Sequence, residues 1–541
     1  DDGADDSELA AVVSAVQEAA VAAGVHAGPA PWLPPLPHRL GLPGLTDRST
    51  SGRATVPATS IPVGLADLPA LQQQDVFTWD PDASGHLGIA GGPRSGRTSA
   101  LTTLALGIAE RYGPHQVHIH ILEGVPGALS DLAGLPHVGS VTGASDPARA
   151  RRAVDRLCQQ LDRSAEDVSR LTVVLVDGWE AVQDSLDRLD HGATTDRLVR
   201  LMRDGLSSGL RVVVTGGRAL TGGRLVPLVQ QRLVLPLPDP LDLALVGLDR
   251  AAAPTPWPPG RAVHATTGLE IQLAYAGAPA GKTVTPLMQS ARSAEERWSW
   301  LPPEVLPWRL RELPTRVTLR EVPSRPPPHL AIGVGEEEGS SLGFDPSRGE
   351  RRILVAGGRR TGRSTALHAL AMRLLEQHHP LIVVTVRPSC LTAGAARTCS
   401  GVVAAGDQPI AGTRLHLLGP GEVDHFVELR RAVPQTAIIV DDAESLDGSP
   451  MADALAEAAR LVETAGGVIA AAVDVARQPV AFRGLVAEVA RDSTGLLLCP
   501  TATSDGDLFR LAAEAVTHRI PGRGLHILAR QVTPIHIADA A

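Results

Sequence analysis

The chain has 541 residues, enough for about two to four cores, and with 43% hydrophobic and 20% charged residues it reads as a folded globular protein. Its net charge of −9 argues against a surface built mainly to neutralise nucleic-acid phosphates, without excluding a local basic channel. Cys158, Cys390, Cys399 and Cys499 lack C-x-x-C spacing, and no apolar run approaches the roughly 20 residues of a membrane span, so disulfide frameworks, zinc ribbons and spanning helices are not expected.

Residues 1–60 begin Asp-Asp-Gly-Ala-Asp-Asp, with neither an initiator Met nor a signal peptide, and this reads as a piece of a longer polypeptide. A helix is expected from Leu9 to Ala23, followed by a proline-rich connector from Pro29 to Pro37 that contains Trp32. A first module is expected over residues 61–275. Extended segments around Val76 to Asp80 and His86 to Ala90 lead into Gly91-Gly92-Pro93-Arg94-Ser95-Gly96-Arg97-Thr98-Ser99, and a helical pattern (Ala100, Leu101, Leu104, Leu106, Ala109) follows. The spacing G-x-x-x-x-G-[basic]-[Ser/Thr] between a strand and a helix is that of a phosphate-binding P-loop. Small residues let backbone N–H groups curl around phosphate, and the helix N-terminus adds partial positive charge.

Val117, Ile119 and Ile121 alternate with His118 and His120, which predicts a half-exposed strand. No carboxylate or cysteine joins these histidines, so they read as packed or solvated side chains rather than metal ligands. Leu171 to Asp177 is a buried apolar strand ending in aspartate, roughly 80 residues after the P-loop. That order is the Walker B arrangement, which places a carboxylate where it can hold the water shell of Mg²⁺ beside phosphates. A third strand, Leu210 to Val214, ends at Thr215-Gly216-Gly217-Arg218, with Thr215 a candidate γ-phosphate sensor. The module closes with Pro258-Pro259-Gly260-Arg261 and the strand Ile271 to Ala274.

Residues 276–330 form a second connector with Trp298, Trp300 and Trp308, expected to pack the modules together. Residues 331–541 then repeat the first module at an offset of about 265. Gly357-Gly358-Arg359-Arg360-Thr361-Gly362-Arg363-Ser364-Thr365 is a second P-loop, Ala437 to Asp441-Asp442 a second Walker B strand, and Pro521-Gly522-Arg523 a second closing turn. Strands alternating with helices over such long units imply two whole α/β domains with parallel sheets, their sites at the carboxyl ends of the strands.

Arg97 and Arg363 stand where a P-loop carries lysine. A planar guanidinium fits the bend between β- and γ-phosphates less well than a compact ammonium, so alignment for hydrolysis suffers more than binding. Asp177 is followed by Gly178-Trp179-Glu180, with no adjacent carboxylate to orient a water. Asp442 and Glu444 are the candidates for that catalytic role in the second module.

The paired P-loops, Val176-Asp177-Gly178-Trp179, Thr215 to Arg218, the Pro-Gly-Arg closers and Phe482-Arg483-Gly484-Leu485-Val486-Ala487-Glu488 resemble actinobacterial FtsK/SpoIIIE-type ATPases over nearly all of residues 29–541. They are most similar to the second and third ATPase modules of EccC-like type VII secretion motors and of related proteins with a forkhead-associated domain. The resemblance implies a RecA-like P-loop NTPase fold, ATP and Mg²⁺ as cofactors, a possible hexamer with other ATPase modules, and a place on the cytoplasmic side of the membrane through a preceding anchor. It assigns phosphate contact to Gly91–Thr98 and Gly357–Ser364, and Mg²⁺ to Thr98, Asp177, Ser364 and Asp441. Three functions follow as alternatives. The first is weakly hydrolysing modules that regulate a secretion motor or recruit an export substrate peptide. The second is a DNA translocase, for which neither the acidic balance nor a basic winged-helix pattern speaks. The third is a structural pair without nucleotide.

Overall fold

The computed structural model describes residues 8–25, 33–42, 44–45, 57, 59–163, 170–239, 241–249, 253–276, 286–337, 340–388, 391, 402–403, 415–478, 482–513, 519–529 and 531–540. Trp32, Cys390 and Cys399 lie outside these residues. The chain divides into two compact units, Asp1–Trp308 and Arg309–Ala541.

The first unit contains strands β1 (Leu40–Gly41), β2 (Ile61–Leu68), β3 (Gln73–Trp79), β4 (Leu87–Ala90), β5 (Val117–Glu123), β6 (Val138–Gly143), β7 (Leu171–Asp177), β8 (Leu210–Gly216), β9 (Gln231–Val234), β10 (Arg261–His264) and β11 (Glu270–Tyr275). They form one sheet in the order β3-β2-β11-β10-β9-β4-β8-β7-β5-β6, with β1 added to β11. From β9 to β6 all pairings are parallel, whereas β10, β11, β2 and β3 are joined antiparallel. The two extended segments before the first P-loop are thereby separated: β3 hairpins onto β2, and β4 goes to the parallel centre.

Both faces of this sheet are covered. Along β7, Val173 and Leu175 belong to one apolar cluster while Val174 and Val176 belong to another, as the period of two requires. The helix Arg97–Arg111 lies on the first face and buries Ala100, Leu101, Leu104, Ala105 and Ile108, the i, i+3, i+4 stripe of an amphipathic helix.

The expected half-exposed strand at Val117–Glu123 is a correction: β5 is buried along its whole length. The reason lies in the segment that follows the sheet. Trp308 stacks on His120 with ring centroids 4.0 Å apart, and the backbone oxygen of Val305 lies 3.1 Å from Nε2 of His118. Trp298 meets His115 edge-on at 5.6 Å. Trp298 and Trp308, expected between the modules, are thus seated on the first unit itself, whereas Trp300 is 69% exposed.

The second unit repeats the plan with β12 (Leu330–Gly335), β13 (Ser341–Phe344), β14 (Arg352–Gly357), β15 (Leu381–Val384), β16 (Val402–Val403), β17 (Leu415–Leu418), β18 (Ala437–Val440), β19 (Ile469–Asp474), β20 (Thr494–Leu498), β21 (Arg523–Leu528) and β22 (Gln531–Ile537). Their order is β13-β12-β22-β21-β20-β14-β19-β18-β15-β17-β16, parallel from β20 onward. The helix Arg363–Glu376 buries Ala366, Leu367, Leu370, Ala371 and Leu374 beneath it. Two mostly parallel α/β sheets, each with a P-loop between its central strand and the next helix, make tandem P-loop NTPase domains. Among the described residues, no helix is long and apolar enough to cross a membrane.

Candidate functional site

Each P-loop leaves the central parallel strand, β4 or β14, at its carboxyl end. The chain reverses through left-handed conformations at Arg94 (φ 59°) and Gly96 (φ 109°), and again at Arg360 (φ 59°) and Gly362 (φ 100°). Ser95 Oγ donates to the Gly92 carbonyl at 2.8 Å and Thr361 Oγ1 to the Gly358 carbonyl at 2.9 Å, closing the two loops in the same way. The first helical residues are Arg97 and Arg363, so the open N–H groups of both helix starts face the loop.

The glycines Gly96 and Gly362 are fixed by more than φ. A Cβ on Gly96 would sit 3.1 Å from the Gly260 nitrogen, and one on Gly362 would sit 2.9 Å from the Gly522 nitrogen. The closing turns lean directly on the P-loops: Gly260 N donates to the Ser95 carbonyl and Gly522 N to the Thr361 carbonyl, each at 2.8 Å. Sequence reading found these turns only as repeat markers. Their arginines also tie each module to the chain that enters it. Arg261 Nη2 donates to the carbonyls of Leu36 (2.8 Å) and Pro37 (3.2 Å), and Arg523 Nη2 to those of Leu313 (2.7 Å) and Pro314 (3.1 Å).

Asp177 ends β7 and Asp441 directly follows β18. Asp177, at the end of β7, accepts from Thr98 Oγ1 at 2.8 Å through one oxygen and from Thr215 Oγ1 at 2.8 Å through the other. Thr215 Oγ1 in turn accepts from the Gly178 N–H at 2.8 Å. In the second module Ser364 Oγ donates to Asp441 at 2.9 Å, but the strand register puts Ala472 at the position of Thr215. A hydroxyl and a buried carboxylate in direct contact at the mouth of a P-loop form the oxygen donor set that a hydrated Mg²⁺ requires, and both modules fit it.

The surroundings of the two P-loop arginines differ. Arg97 forms no ion pair with the described residues. Glu180, which follows Asp177 by three residues as Glu444 follows Asp441, is spent on the backbone, accepting from Gly217 N at 2.8 Å and Ala219 N at 3.3 Å. Arg363, by contrast, lies among three carboxylates: Asp442 at 3.5 Å, Glu444 at 3.8 Å and Asp474 at 4.0 Å. Asp442 also accepts from Arg387 Nε at 3.1 Å, and Glu444 accepts from the Asp474 N–H at 3.3 Å. The candidate catalytic pair is therefore already engaged with cations and backbone.

Comparison with known proteins agrees with this geometry. Residues 57–265 match the model of the FtsK/SpoIIIE family. The ESX-4 secretion system protein EccC4 of Mycobacterium tuberculosis is 26% identical over 404 residues, which cover 69% of this chain and 31% of that protein. The chain thus spans less than a third of that relative's length. Among solved structures, ATPases 2 and 3 of Geobacillus thermodenitrificans EssC superpose with a TM-score of 0.65 at 20% identity, covering 94% of this chain and 100% of that one. ATPases 2 and 3 of Thermomonospora curvata EccC, solved in complex with a signal sequence peptide, give 0.60 at 21% identity over 94% of this chain and 97% of that one. Residues 57–265 thus match the FtsK/SpoIIIE family, and the chain shares its fold with the tandem ATPase modules 2 and 3 of EccC and EssC type VII secretion ATPases.

Proposed function

We propose that the chain is a pair of nucleotide-binding modules of a type VII-like secretion motor. Both modules would bind ATP with Mg²⁺ yet hydrolyse it slowly or not at all, and they would regulate the motor or recruit its export substrate. The observation that carries this reading is the intact phosphate and metal geometry (Thr98–Asp177 and Ser364–Asp441) beside arginines in place of lysine and carboxylates already paired. The phosphates would rest on the N–H groups of Gly91–Ser99 and Gly357–Thr365. Thr98 with Asp177, and Ser364 with Asp441, would hold the metal. When bound, Mg²⁺ supplies charge neutralisation between β- and γ-phosphate oxygens. Thr215, held by Asp177, would report the γ-phosphate in the first module. Asp442 would need to leave Arg363 and Arg387 before it could orient a water.

An export peptide as partner is supported by the relative solved with a signal sequence peptide. It is also supported by a surface of the second unit where Phe482 is 89% exposed, at a hollow of about 590 Å³ edged by Arg483, Arg491 and Arg510. Other ATPase modules and a membrane anchor would belong to the longer protein, placing these modules on the cytoplasmic side of the membrane.

The test is the nucleotide released on denaturing the purified chain, measured beside its turnover. Loss of both the lysine and a free base costs a few kcal/mol per group, so against a typical kcat of about 10 s⁻¹ a rate of roughly 0.01 s⁻¹ or less is expected, with nucleotide bound. Turnover near the typical value would overturn the regulatory reading. No bound nucleotide and no affinity would leave two structural domains, and tight DNA binding with a steep salt dependence would point to translocation.

A further inference from the structure

The two closing turns are copies of one device, but their arginines are satisfied differently. In the first unit Arg261 lies opposite Gln272 across β10 and β11. Its Nε donates to Gln272 Oε1 at 2.9 Å, its Nη1 is paired with the Glu270 carboxylate, and its Nη2 donates to the Leu36 and Pro37 carbonyls. All three nitrogens meet acceptors, one of them anionic.

The second unit keeps the arginine and loses two of those acceptors. Arg523 lies opposite His536 across β21 and β22, and Pro534 stands at the register position that Glu270 holds in the first unit. Nη2 of Arg523 still donates to the Leu313 and Pro314 carbonyls. Its Nε, however, is shut off from solvent without a partner among the described residues, and so is Nδ1 of His536, a side chain only 3% exposed. Arg523 forms no ion pair with the described residues. Directly opposite residues on one face of an antiparallel pair have Cβ atoms about 4.5–5.5 Å apart, so the two orphaned groups share one small volume. A guanidinium cannot shed its proton to escape burial, so the turn carries a positive charge with no counter-charge beside it. Burial and the Arg523 charge push His536 down to about 4. The neutral ring can carry its one proton on Nδ1, which makes a second donor beside Arg523 Nε.

We propose that Arg523 Nε and His536 Nδ1 together bind a small monovalent anion of the chloride type, which does in the second unit what the Gln272 and Glu270 oxygens do in the first. Water in that place would satisfy the hydrogen bonds but not the charge, whereas a halide satisfies both and accepts from any direction. The anion would lie beside Gly522, whose N–H donates to the Thr361 carbonyl of the second P-loop at 2.8 Å. It would thereby hold the turn that supports that loop, together with the Leu313–Pro314 entry of the chain. The site asks nothing of nucleotide binding, and it is particular to the second unit, because Arg261 already has its own acid.

The test is hydrogen–deuterium exchange of the full chain in sodium chloride and in sodium gluconate at equal ionic strength, following peptides over residues 519–529 and 257–267. Chloride is expected to slow exchange in 519–529 by roughly three- to tenfold, saturably, and to leave 257–267 unchanged. A Pro534→Glu/His536→Gln double variant rebuilds the acceptors of the first unit. Its 519–529 peptide should be as protected in gluconate as the parent is in chloride, and should no longer respond to chloride. Crystals of the parent soaked in bromide should show an anomalous peak beside Arg523 Nε and His536 Nδ1. Equal exchange of 519–529 in the two salts would overturn the proposal, and so would a double variant that keeps the chloride response. Bromide crystals without that peak would leave water as the partner of both groups and refute the anion. The bromide arm uses the unaltered chain, so it decides even where the double variant fails to fold.

Discussion

Arg97 and Arg363 occupy the same place in two copies of one motif, yet their surroundings give them different chemistry. Three buried or nearly buried carboxylates would compete with the phosphate of the proposed nucleotide for Arg363, whereas Arg97 forms no ion pair with the described residues. Neutralising one of these carboxylates should therefore favour the ligand. Asp474→Asn is expected to raise ATP affinity of the second module about three- to tenfold, read by fluorescent-nucleotide titration in an Asp177→Ala background that weakens the first site. Unchanged or weaker binding would show that Arg363 is not restrained by its acids. Asp441→Ala should do the opposite, because its carboxylate accepts from Ser364 where the proposed metal would sit. Affinity with Mg²⁺ is expected to fall about tenfold or more, and affinity in EDTA to stay within a factor of two, a split that a general folding defect would not produce.

At the scale of elements, the segment from Pro286 to Trp308 replaces solvent over one edge of the first sheet, and its cost is a set of buried histidines. Burial pushes His118 down to about 4, His120 to about 3 and His137 to about 4. The groups around them add no anion. His118 faces Val305 O, Arg170 and His137, and His120 faces Ser140, Trp308 and Arg156. His137 faces Tyr112 O, His115 and Arg297. In the unfolded chain these side chains take protons near pH 6.5, while in the folded unit they stay neutral to about pH 4, so the unfolded state binds more protons in between. Stability is therefore full above pH 6.5 and falls as pH drops toward 4, by up to ~1.4 kcal/mol per pH unit for each histidine. Urea unfolding of the first unit, followed by tryptophan fluorescence from pH 7.5 to 4.5, should show this slope, and His118→Gln should flatten it. A pH-independent midpoint would contradict it. The closing turns are elements of the same kind: Arg261→Ala removes several buried hydrogen bonds and should cost about 2–4 kcal/mol in the same assay.

At the scale of the molecule, two units share one plan, a parallel centre with an antiparallel extension that carries the closing turn back to the P-loop. The local devices were legible in the sequence because each depends on neighbours along the chain. The P-loops rest on glycines where φ is positive, the buried strands on apolar runs with both faces covered, and the Walker B aspartates on strand ends. Their register against one another followed from the repeat. What the sequence could not show depends on contacts between distant positions: the burial of β5 by a segment some 180 residues later, the threading of Leu36–Pro37 onto Arg261, and the choice of Arg363 for Asp442, Glu444 and Asp474. A period of two reports that successive side chains face opposite ways, but not what later covers each face. Residue types and spacings thus determined two nucleotide-type folds with their loops and acids. Tertiary structure alone decided which basic group is held by acids and which is left for a ligand, because electrostatic pairing is set by distance in space and not along the chain.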